Sequence, residues 1–183
     1  MESDDLTFRI SMATAYTALA LLGLSLTMGP YNVLRGRPNP VSTHRRRDIG
    51  ILAAGYAWLH TVAGFQVHFR GRIRFYVLDP ADNALRLDPF GFANYAGLAA
   101  LLVVSALLVL SNDFSLRTLG TARWKRLQRC NYAALGLLVG HGALYQLIEK
   151  RSAAWVAAFL LCVVLIVALQ SAGFRRRRAA HRG

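Results

Sequence analysis

Residues 49–64 read IGILAAGYAWLHTVAG, and residues 134–148 read ALGLLVGHGALYQLI. Both runs are continuously apolar rather than alternating, which predicts buried helix and not strand. Each carries one imidazole, His60 and His141, among small neighbours. An ionisable side chain is costly inside hydrocarbon, so a histidine there marks a functional position by default. Two such histidines suggest two axial ligands to one buried metal cofactor.

The rest of the chain follows the same pattern. It has 183 residues, 55% of them hydrophobic, yet its formal net charge is +13. Charge and apolarity must therefore be segregated along the chain. Five windows of about 18–20 mostly apolar residues suit a hydrocarbon layer ~30 Å thick. They lie near 10–29, 49–68, 91–110, 131–148 and 154–173. The expected fold is thus an all-α membrane protein, a bundle of about five transmembrane helices. Residues 1–174 form a single transmembrane domain and 175–183 a basic cytoplasmic tail.

Little chain remains for anything else. The longest connection, about 69–90, is too short for a nucleotide-binding domain, and no GxGxxG, P-loop or CxxC occurs. Partner subunits must supply such chemistry. Cys130 and Cys162 read as buried, reduced thiols. The start, MESDD, is acidic and unlike the basic head of a signal peptide, which points to a retained first helix.

Lys and Arg assign the sides. Fifteen fall in the connections after the first and third windows and in the tail, against seven on the opposite side. The positive-inside rule then places the N-terminus outside and the C-terminus in the cytoplasm, as an odd number of spans requires. The run Arg175–Arg178 reads as a stop-transfer signal and anionic-lipid anchor, not a nucleic-acid site. Arg70, Arg72 and Arg74 break the rule. They read as a solvated turn, as partners for cofactor carboxylates, or as a docking surface for an acidic protein.

His60 lies 12 residues beyond Asp48, and His141 lies 12 beyond Arg129. At ~1.5 Å per residue both imidazoles reach a similar depth in the outer half of the bilayer. Equal depth on two helices suits a bis-histidine haem. Ala57, Ala63 and Gly64 share a face with His60 and leave room for a flat ring. Gly140 and Gly142 bracket His141, and Gly136 with Gly140 forms a GxxxG that suits either a ring edge or close helix packing. Tyr56, Tyr145, Gln66 and Gln146 are candidates for hydrogen bonds to haem propionates or to an imidazole. His68, near the water boundary, is a weaker ligand candidate. His44 and His181 fall in basic, solvated segments. A membrane histidine can also do no more than bond a neighbouring helix, for ~0.6 kcal/mol.

These strings resemble the ferric reductase-like transmembrane family, and within it the haem-binding membrane subunits of periplasmic methionine sulfoxide reductase systems. Arg46, Arg47, Gly50, Tyr56, Leu59 and His60 match one motif. Trp124, Leu127, Arg129, Tyr132 and His141 match the other. The resemblance spans about residues 20–150. It implies a b-type cytochrome of the bacterial inner membrane, an electron-transfer subunit rather than a stand-alone enzyme. Electrons would pass from a cytoplasmic flavin reductase through haem to an outer acceptor. Cofactor-contacting residues would be His60, His141, Gly64, Gly140 and Tyr145, with the two histidines on the metal. Two departures stand out. Gln128 replaces a family histidine on the inner side, which implies one haem; a flavin held by Arg45–Arg47, Arg123, Lys125 and Arg126 could bridge the gap. One N-terminal span is also missing relative to six-span relatives. The alternative is an accessory subunit of a larger respiratory or photosynthetic complex, with a structural haem or none.

Overall fold

A computed structural model describes residues 6–37 and 43–180. The acidic residues 1–5 lie outside the described residues, as do His181 and Arg182. Among these residues six α-helices follow one another: α1 Leu6–Leu34, α2 Thr43–Val67, α3 Pro89–Val109, α4 Asp113–Gln128, α5 Asn131–Ile148 and α6 Ala153–Ala180. A 3₁₀ turn, Ile73–Tyr76, interrupts the connection between α2 and α3. No strand occurs among the described residues beyond an isolated bridge between Leu78 and Leu85.

Three of the helices are long and apolar enough to cross a membrane: α1, α3 and α6. The two that carry the histidines, α2 and α5, are 25 and 18 residues long. Polar side chains lower their apolarity, those of α2 mostly in the His44–Asp48 run at its start.

Helix starts follow local chemistry. Asp88 caps α3 by accepting the Gly91 N–H at 2.7 Å, and Pro89 occupies the first turn, where no N–H is needed. The Asp88 carboxylate also accepts from Arg86 at 2.7 Å, and this guanidinium holds its pKa below the usual carboxylate range. Asn112 caps α4 through the Ser115 N–H. The basic connection after the third apolar window is therefore helical. It bends at Gly120, whose φ of 70° a side chain would resist.

The helices α1, α2, α3 and α5 enclose the interior. Leu22 and Leu26 of α1 pack on Ala53 of α2, with Leu135 and Leu138 of α5 against them. Ala54 meets Val104 of α3 and Ala134 of α5. Alanines at these crossings let backbones approach closely. Helix α6 packs on α1 from outside, where Gly173 lies against Pro30 and Gly23 against Ile166. Its remaining face exposes Leu160, Leu161, Val164, Leu165 and Val167. Such an apolar stripe suits lipid and would be a liability in water. Cys130 is exposed rather than buried, because it falls in the turn between α4 and α5. Cys162 is partly covered on α6, and both thiols are free.

Candidate haem site

The two helices that carry the histidines face one another across the bundle, and the imidazoles meet. Their ring centres are 6.1 Å apart, with planes at 74°. The His60 Nδ1 lies 3.0 Å from the Ser11 carbonyl oxygen and 3.3 Å from its hydroxyl. The His141 Nδ1 lies 2.8 Å from the Ala93 carbonyl oxygen. A carbonyl only accepts, so each Nδ1 carries the hydrogen and donates it. Each Nε2 then keeps its lone pair. Metal-binding histidines are prepared in this way, with the far nitrogen tied to an acceptor that fixes tautomer and ring orientation.

The separation is informative. A metal bonded to two imidazole nitrogens at about 2 Å each, with roughly 1 Å more to each ring centre, sets the centres about 6 Å apart. Among the described residues no group of three or more His, Cys, Asp and Glu could hold a metal ion. A bare divalent ion needs about four ligands. Two imidazoles complete only a metal whose other positions are already filled, as a macrocycle fills those of haem iron. The pair of imidazoles therefore fits haem iron.

Both histidines line one elongated cavity of about 310 Å³. Its walls include Gly64 of α2, Gly97 of α3 and Gly142 of α5. A Cβ at Gly97 would stand 2.6 Å from the His141 Nδ1, so only glycine admits the ring there. Gly140 is not among the lining residues, and a Cβ on it would meet nothing within 4 Å. A Cβ on Gly136 would also meet open space, so close packing does not explain the GxxxG. Gly142 instead lies against Phe159 of α6.

The other polar candidates divide. Tyr145 lines the cavity, 5.0 Å from His141 between ring centres, and its hydroxyl donates to the Asn94 Oδ1 at 2.8 Å. Gln146 lines it too and donates to the Tyr16 hydroxyl. Tyr56 and Gln66 are not among the lining residues, and Gln66 sits beside Gly71 in a turn. His68 joins the cavity wall at one end, stacked on Tyr145, with its Nε2 3.5 Å from the Glu149 carboxylate. Arg70, Arg72 and Arg74 are exposed. Toward the α3–α4 turn, Gln128 donates to the Ser111 hydroxyl across 3.4 Å, and both line the cavity.

The connection between α2 and α3 folds back as a cap. Tyr76 is buried, and its hydroxyl donates to the Gly64 carbonyl at 2.8 Å. Phe65, Phe69 and Phe90 pack their rings on it. Tyr76 and Phe65 of this aromatic layer line the cavity wall.

No family model matches the chain, and no solved structure matches it. Over 127 residues, 68% of its length, the chain is 37% identical to the protein-methionine-sulfoxide reductase heme-binding subunit MsrQ of Deinococcus radiodurans. That alignment covers 57% of the MsrQ chain, so this protein spans little more than half the length of the relative it is similar to.

Proposed function

We propose that this chain is a multi-pass subunit of the bacterial inner membrane that holds one b-type haem between His60 and His141. In this reading it carries electrons from a cytoplasmic flavin reductase to a periplasmic acceptor. The observation that carries the proposal is the imidazole pair, with each Nδ1 committed to a backbone carbonyl and the ring centres 6.1 Å apart. The similarity to a heme-binding subunit supports haem as the occupant. That relative belongs to a protein-methionine-sulfoxide reductase, which makes such a reductase the partner proposed on the outer side.

Five helices, α1, α2, α3, α5 and α6, cross the membrane in this proposal, with α4 along the cytoplasmic face. The basic bias of one set of connections supports that orientation. So does the ion pair of Arg47 with Asp113, which joins the starts of α2 and α4 on one side. His68 and Glu149 join the ends of α2 and α5 on the other. The exposed cations of α4 then face the leaflet where positive charge is retained.

A bound haem would supply one-electron exchange. The protein supplies the rest. His60 and His141 offer their Nε2 atoms, while Ser11 and Ala93 hold the rings in place. With His60 and His141 both holding it, the iron would keep no open position, which favours electron transfer over oxygen binding. Tyr145, fixed by Asn94, braces His141.

The test is the absorption spectrum of purified protein. Wild type should show a Soret band and sharp α bands on reduction. His60→Ala and His141→Ala should each abolish the low-spin spectrum, and His68→Ala should keep it. Full haem in both ligand variants would defeat the assignment.

A further inference from the structure

One buried acceptor in the cavity has no partner. The Gln146 Oε1 is fully buried without a hydrogen bond, while the Nε2 of the same amide is committed to Tyr16. An unmatched buried acceptor costs about 1–3 kcal/mol, so the position calls for a donor. Five residues on, Arg151 lines the same cavity. Its backbone N–H donates to the Gln146 carbonyl at 3.3 Å, which ties the two together. The guanidinium lies over the Phe8 ring, 4.6 Å from its centre. Among the described residues no carboxylate pairs with it. A cation without a counter-ion and an acceptor without a donor thus line the same cavity. A carboxylate answers the cation, its two oxygens accepting from the fork of Arg151, and a guanidinium so engaged has further N–H groups to offer the Gln146 Oε1.

We propose that Arg151 and Gln146 form the carboxyl-anchoring subsite of the cavity. The occupant is then an apolar ring that bears a carboxyl group, oriented with that group toward the link between α5 and α6. Within the haem reading, on which this inference rests, the anchored group is a propionate. The exposed Arg70, Arg72 and Arg74 are not needed for it. Arg151 acts as a positioning residue, setting which edge of the ring faces outward.

The test compares haem b with its dimethyl ester, which has the same ring and iron but no free carboxyl. Full-length protein made in haem-deficient cells is titrated with each in detergent. Wild type should hold the free acid about tenfold more tightly than the ester, the scale of one charge-assisted hydrogen bond. Arg151→Gln and Gln146→Leu should shrink that preference while binding the ester as wild type does, with the same low-spin spectrum. Arg151→Lys should keep part of the preference. Equal affinities in wild type would overturn the subsite and leave Gln146 to an ordered water, as would an undiminished preference in Arg151→Gln. If wild type binds neither compound, the haem reading itself falls. Binding of both without discrimination removes the subsite alone.

Discussion

Gly97→Ala tests the site through a residue that carries no ligand atom. The added Cβ would stand 2.6 Å from the His141 Nδ1 and 2.8 Å from its Cε1. That is about 0.8 Å short of ordinary contact, taken as 3.4 Å. The obstructing atoms belong to a ring, not to the end of a flexible chain, so the imidazole must shift. The shift strains or breaks the 2.8 Å bond to the Ala93 carbonyl. Loss of such an orienting partner typically costs 10–100-fold in metal affinity. The expected result is haem content reduced by that order in a chemical haem assay, with a broadened low-spin signal in the fraction that remains. Gly140→Ala is the matched control, because its Cβ meets nothing within 4 Å, and it should keep full haem. A Gly97→Ala protein with wild-type haem and an unchanged signal would refute the placement of His141 against α3.

With Gln128 where the family motif has histidine, haem assayed against quantified protein should come to one per chain; two would require a further ligand. Bound flavin in the same preparation would favour a transmembrane route, and haem reducible only from outside would favour the accessory-subunit alternative. A protease added to sealed inside-out vesicles should trim the chain after Phe174, and trimming only in right-side-out vesicles would reverse the proposed orientation. Asp88→Ala should lower stability by about 1 kcal/mol near neutral pH, the usual worth of a helix cap. Because Arg86 depresses the Asp88 pKa, the native carboxylate's contribution is present above its unfolded pKa and lost as pH falls through the lower folded value. Wild type and Asp88→Ala should therefore converge in melting temperature as acid is added, and a gap that widens in acid would contradict the cap.

The imidazole pair was legible because ionisable residues stand out against apolar runs, and helical rise converts sequence distance into depth. Which glycine makes room was not. Gly140 is beside His141 in sequence, but the ring leans across the bundle onto Gly97 of α3. The orienting acceptors are backbone carbonyls, which every residue has, so Ser11 and Ala93 left no mark in residue type. Arg151 read as one of the outer-side charges until the bundle placed it at the cavity beside Gln146. The helix α4 was hidden by its composition, since a basic segment of low hydropathy resembles a loop until Asn112 is seen to cap it.

The groups that prepare the histidines are spread along the chain as Ser11, His60, Ala93 and His141, one on each of α1, α2, α3 and α5. No pair of neighbouring helices holds the whole set. The pocket therefore stays incomplete until α5 has been made, after α1, α2 and α3. In the proposed reading cofactor loading is then a late event, and a chain stopped before residue 141 should carry no haem.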